Sequence, residues 1–161
     1  MPAPVTTALV WAEINRRFFA VLSYVTPHGE ARSAGVIYVV QRGRLYLRAD
    51  TDSWKARHIR LNPNVALNVT IPKRVPLMPW IRIPEATIAF HGTARVIDAN
   101  AADKTLVQAL ARATAHGDAE SLPRMCFIEV TPAGHFATYG VGVSLRDMRD
   151  PQKARGRVPI A

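Results

Sequence analysis

Between Asn64 and Ile71 the chain alternates without a slip, with Val65, Leu67, Val69 and Ile71 on one side and Ala66, Asn68 and Thr70 on the other. A strict period of two is what a strand with one buried face requires. A second run, "EATIAFHGTARVID", keeps the same period for longer and turns Ile88, Phe90, Gly92, Ala94 and Val96 inward. Upstream, "FFAVLSYVT", "ARSAGVIYVV" and "RLYLRA" are strand-like and are joined by the turns "PHGE" and Arg42-Gly43. Connections this short make hairpins, so the three segments form an antiparallel meander. "RMCFIEVTP" and "HFATYG" are expected as two last strands joined by a turn at Gly134.

Helical patterns fill some of the corners. One covers about residues 6–16, a second runs from Ser53 to Leu61, and a third covers about 101–115. Asn62-Pro63 ends the second, because proline disfavours a helical conformation in the residue before it. Short strands with helices at the corners indicate a small, mainly β barrel with α decoration. No repeat or linker divides the 161 residues, a length that supports one core, so residues 1–161 are expected to form a single domain with 143–161 as a polar C-terminal tail. "PKRVPLMPWIRIP" is a long proline-rich connection, suited either to binding or to capping the core as a rigid loop.

Composition narrows the classes. Hydrophobic residues at 48% and charged residues at 20% argue against disorder. Cys126 is the only cysteine and lies in an apolar strand, so it is expected to be a buried, inert thiol, with neither an intrachain disulfide nor a Cys-based zinc site. The start lacks the basic and apolar regions of a secretory signal, and no run is long enough to span a membrane, so the expectation is a soluble cytoplasmic protein. The formal net charge of +9 calls for anionic partners: nucleic acid, acidic membranes or phosphorylated small molecules.

Placement of the charge is informative around "RADTDSWKARHIRLNP". A helix that starts just after a strand offers unpaired N–H groups and a partial positive charge, which favour phosphate. Thr51 and Ser53 add hydroxyls, Lys55 lies in the first turn, and Arg48 approaches from the strand end. The same residues are also ordinary helix caps, and Asp50 and Asp52 oppose an anion, so a simple capped corner is the competing interpretation.

The order of elements adds a further signal. Gly43, Leu45, Tyr46, Leu47, Ser53, Lys55, Ile59, Asn62, Pro63 and Val65, supported by "FHGTARVI", resemble the pyridoxamine-phosphate-oxidase-like FMN-binding split barrels, a superfamily that includes flavin/deazaflavin oxidoreductases. The resemblance covers roughly residues 8–135. It implies a six- to seven-stranded antiparallel split β-barrel that forms a homodimer, with FMN or the deazaflavin coenzyme F420 in a groove between subunits. It also implies that Lys55 holds the cofactor phosphate, that Arg48 and Ala49 line the phosphate or ring, and that Arg32 to Ile37, Val36 included, run along the ring.

The chain departs from the family pattern at several points. Ala49 replaces a usual threonine, leaving Thr51 or Ser53 to supply that hydroxyl, and Trp54 stands where an arginine often precedes the lysine. Thr87 occupies the position of a glutamine found in true pyridoxamine-phosphate oxidases, whose C-terminal Arg–His pair has no match here. Vitamin B6 oxidation is therefore not the expected reaction.

Hydride transfer through a bound flavin-type ring needs placement more than a catalytic triad, and no triad is visible. The catalytic residues and the small organic substrate are unassigned, and the scattered histidines give no metal site. The leading expectation is a flavin- or deazaflavin-dependent oxidoreductase. Alternatives are a non-catalytic carrier of flavin or another planar anion and, less favoured, a nucleic-acid-binding protein. Against the last, Phe18, Phe19, Tyr24 and Tyr46 are expected within apolar strands and not as a stacking platform. The cations of the tail, Arg146 to Arg157, suggest either a flap over an anionic cofactor or a solvated end.

Overall fold

The alternating runs become the strands that the pattern requires. In the computed structural model, which describes residues 5–114 and 124–160, β1 spans Phe19–Val25, β2 Ala31–Gln41 and β3 Arg44–Asp50. β4 spans Asn64–Ile71, β5 Ala86–Asp98, β6 Met125–Tyr139 and β7 Arg155–Pro159. The sheet order is β3-β2-β1-β4-β5-β6-β7, every pairing is antiparallel, and a further β3–β6 pairing closes the first six strands into a barrel. The seventh strand lies outside that ring, on the far half of β6.

Inward positions form the core. Val65, Leu67, Val69 and Ile71 of β4 pack with Ile88, Phe90 and Ala94 of β5, Leu45 and Leu47 of β3, and Leu22 of β1. Gly92 has a packing reason: a Cβ there would stand 2.3 Å from the Thr131 carbonyl oxygen, so only glycine lets β5 and β6 approach so closely. Helix α1, Thr7–Asn15, is capped by Thr6 and sends Val10 and Ile14 into the core. Tyr38 of β2 donates its hydroxyl to the Ile14 carbonyl at 2.7 Å, which ties α1 to the barrel. Burial pushes the Tyr38 phenol well above its ordinary range, outweighing the nearby Arg17 charge.

Outside the barrel wall, helix α3 (Lys104–Thr114) lays Leu106 and Leu110 against Tyr46, Met125 and Phe127. Beside this patch Glu129 is buried, with its carboxylate accepting from the Tyr46 hydroxyl and the Arg95 Nε, each at 2.9 Å. Arg44 adds an ion pair at 3.3 Å. Burial raises the proton affinity of Glu129. The hydrogen bonds from Arg95 and Tyr46 and the charges of Arg95 and Arg44 outweigh it and hold the carboxyl below its usual range.

Some expectations are corrected. The two strands expected around Gly134 are one continuous strand, and the expected turn is a slip in the β5–β6 register between Ala89 and His91. Ala89↔Ala137 is followed by His91↔Ala133, so β6 carries two extra residues there; such a bulge does not reverse the chain, and Gly134 within it has a positive φ of 76°. The C-terminal segment is not a solvated end: β7 pairs with β6 from His135 to Tyr139, and Met148, Ala154 and Val158 are buried. A short helix α4, Pro151–Ala154, leads into it from the Asp150 cap. Phe18 precedes β1 and is 60% exposed, and Phe19 is 45% exposed, so neither fills the core. Cys126 is buried as expected, and burial raises its thiol pKa. The expected end of α3 near residue 115 lies outside the described residues. Among those residues no helix is long and apolar enough to cross a membrane, and no cluster of potential metal ligands occurs.

Candidate functional site

The barrel opens where two strands follow different neighbours. β2 pairs with β1 from Ala31↔Val25 to Ile37↔Phe19, whereas its ladder with β3 runs only from Gln41↔Arg44 to Tyr38↔Leu47. Continuing that register would set Ile37 against Arg48, Val36 against Ala49 and Gly35 against Asp50. These pairings are not made: past Tyr38 the end of β2 keeps only its β1 partner, and the end of β3 keeps only β6 on its other edge, through Arg48↔Phe127, Ala49↔Cys126 and Asp50↔Met125. The seam that results is a hollow of about 390 Å³ lined by Gly35 to Ile37, Arg48 to Asp50, and Lys55.

Backbone direction gives the seam a polar wall. The Tyr38 N–H donates to the Phe18 carbonyl on the β1 side, so alternation turns the N–H and C=O of Ile37 and Gly35 toward β3. A Cβ at Gly35 would come 2.9 Å from the tip of the Phe19 ring, which would have to swing aside to admit it.

Helix α2, Trp54–Leu61, starts at the same seam. The Ser53 hydroxyl caps it, accepting from the Ala56 N–H at 3.4 Å, and its first turn carries no acidic residue. The corner before it is fastened on both sides. The Thr51 N–H donates to the Arg124 carbonyl at 2.8 Å, and the Arg60 guanidinium donates to the Thr51 carbonyl at 3.1 Å. Lys55, half-buried, makes no ion pair among the described residues. A lysine in the first turn of a helix adds to the partial positive charge of that end, and the Asp50 carboxylate in the same lining works against it.

Of the residues proposed from sequence, the structure gathers Val36, Ile37, Arg48, Ala49 and Lys55 around this hollow. Ser53 is not part of the lining, and its hydroxyl is engaged as the cap of α2. Arg32 and Trp54 line a different, neighbouring groove. Thr87 lies on β5 between Thr70 and Tyr139, away from the lining of either. Sequence reasoning missed Asp50 as a lining residue, whereas Gly35 falls within the Arg32 to Ile37 stretch that the resemblance sets along the ring. No local pattern marks where a ladder stops, so no signal was available for Asp50.

The neighbouring groove, about 670 Å³, lies between α2 and the end of the β1–β2 hairpin. Its walls include Tyr24 and Arg32 on the hairpin and Trp54, Arg57, His58 and Leu61 on the helix. Positions 54, 57, 58 and 61 are spaced i, i+3, i+4, i+7, and that spacing could have identified this face from sequence.

A closed antiparallel barrel, opened along one seam beside a cationic helix start, defines a split β-barrel. The chain belongs to the pyridoxamine 5'-phosphate oxidase family, whose model matches residues 7–139. No curated protein matches it. Among solved structures, general stress protein 26 from Bacillus anthracis is similar at 19% identity over 86% of this chain and 95% of that one, with a TM-score of 0.58. An F420 reductase is 19% identical over 78% of this chain and 93% of that one, with a TM-score of 0.57. An FAD-binding protein from Mesorhizobium loti is 13% identical over 78% and 88%, with a TM-score of 0.59. At these identities the likeness speaks for the fold.

Proposed function

We propose that the seam between β2 and β3 binds a flavin-type cofactor, FMN or coenzyme F420, and that the chain is an oxidoreductase working on a small organic substrate. The observation that carries this reading is the interrupted β2–β3 ladder, whose unmade pairs are the residues lining the hollow. The donor set fits a flat molecule with an anionic end. Lys55 and the start of α2 meet a phosphate, Arg48 supplies a second cation, and the edge of β2 at Gly35 and Ile37 offers backbone groups to a polar ring. Asp50 at the rim opposes a second negative charge and so favours one orientation of such a ligand.

A flavin-type ring bound there supplies two-electron, hydride-transfer chemistry. The protein's part is to hold and orient it. Ala49 and Val36, both buried, give the seam an apolar floor that excludes water. Family membership and the similarity to an F420 reductase and an FAD-binding protein support the reading. In this reading the hollow, open to solvent on one side, is completed by a second copy of the chain in a homodimer.

The test is absorbance after gel filtration of protein incubated separately with FMN and with F420. Colour that co-elutes with wild type and is lost in Lys55→Ala supports the proposal. If neither cofactor is retained, the proposal fails.

A further inference from the structure

We infer that the groove between α2 and the β1–β2 hairpin is a binding subsite for a planar organic anion, an aromatic carboxylate in its simplest form. The subsite itself stands on the groove's own geometry. Its assignment as the substrate's place rests on the cofactor reading of the adjoining seam.

The helix wall has one face made of Trp54, Arg57, His58 and Leu61, and the hairpin wall brings Tyr24 beside Arg32 through their pairing on β1 and β2. The His58 ring stands between two others, 5.7 Å from the Tyr24 centroid and 5.8 Å from the Trp54 centroid, with interplanar angles of 40° and 39°. Trp54 is 70% exposed, so it fills no core, and its cost in exposed apolar surface goes unanswered inside the chain. A row of three tilted rings on the wall of a 670 Å³ groove is a surface on which a flat conjugated ligand stacks.

Charge then selects the sign of the ligand. Arg32 is paired with Glu30, but Arg57 has no carboxylate partner among the described residues. Its guanidinium lies over the Trp54 ring, 5.6 Å from the centroid, which keeps this uncompensated cation at the groove's edge. A planar guanidinium there can take a carboxylate in fork geometry while the ligand's body lies on the rings.

The groove also adjoins the seam. Trp54 and Lys55 are consecutive in the first turn of α2 and line the groove and the seam respectively, and Arg32 and Gly35 do the same on β2. A molecule held in the groove is therefore beside whatever the seam holds.

The experiment measures binding of 2-naphthoate, and of the neutral 2-naphthalenemethanol, to the full chain without added cofactor, by calorimetry. Wild type should bind the acid more tightly than the alcohol. Arg57→Gln should weaken the acid roughly tenfold and leave the alcohol unchanged, while Trp54→Ala should weaken both by roughly tenfold. Because Trp54 and Arg57 are exposed, unaltered unfolding midpoints will show that the variants fold. Absence of saturable naphthoate binding, or equal affinity in wild type and both groove variants, overturns the inference. If neither FMN nor F420 is retained while naphthoate binds as described, it is the cofactor reading that has failed and not the subsite.

Discussion

Glu129→Gln isolates the buried ion network from everything else in the chain. The exchange preserves volume but removes the charge that Arg95, Arg44 and the Tyr46 hydroxyl address. A hydrogen bond to a charged group contributes about 1.5–3 kcal/mol, and two of the three donors carry charge themselves. The full sum is not lost, because the Arg95 and Arg44 side chains are 67% and 46% exposed and regain water when released. Tyr46 is buried and keeps only a neutral partner, the glutamine amide, in place of the carboxylate. We therefore expect a loss of about 1.5–3 kcal/mol at neutral pH, equivalent for a domain of this size to a drop of roughly 3–12 °C in Tm.

The pH dependence has a definite sign. The folded carboxyl titrates below its ordinary value of 4.5, so the network's contribution is complete above that value and drains away as pH falls through the folded pKa. Urea unfolding of wild type and E129Q should show a constant gap between about pH 8 and pH 6, closing in acid below the ordinary carboxylate range. A gap that persists unchanged in acid, or one under about 0.5 kcal/mol at neutral pH, would refute the reasoning.

Other expectations concern single contacts. Lys55→Ala should weaken binding of the retained cofactor by about 1–3 kcal/mol in a titration, with the fold intact; undiminished affinity would count against an anion at the seam. Gly92→Ala should lower unfolding stability by roughly 2–4 kcal/mol, since its Cβ meets a backbone carbonyl that cannot swing aside, and an unchanged urea midpoint would contradict the close β5–β6 approach. Ser53→Ala removes a cap whose hydrogen bond is long, at 3.4 Å, so a loss of only about 0.5–1 kcal/mol is expected from the same unfolding measurement.

Much of the barrel was legible because it is written in short-range pattern. Alternation alone set both the strand bounds and the buried face of β4, and Ser53, Asn62 and Pro63 bracketed α2. Gly29 and Gly43 adopt the positive φ angles, 81° and 70°, that their turns require. The strand-to-helix corner that carries Arg48, Ser53 and Lys55 could be read for the same reason, since strand end and helix start are adjacent in sequence.

What tertiary structure decided is where neighbours part. Whether Ile37 pairs with Arg48 depends on the courses of β2 and β3, which β1 and β6 hold along their other edges, contacts that no window around either residue contains. The same limit hid the continuity of β6, because a bulge and a turn both call for a glycine such as Gly134, and only the partner strand tells them apart. It also hid β7, whose residues look polar until the open edge of β6 pairs with them. Local sequence fixes which way side chains point along one strand. Which backbone edges are left unpaired is settled only when every strand has taken its partners on both sides, and in this chain β2 and β3 part where the hollow lies.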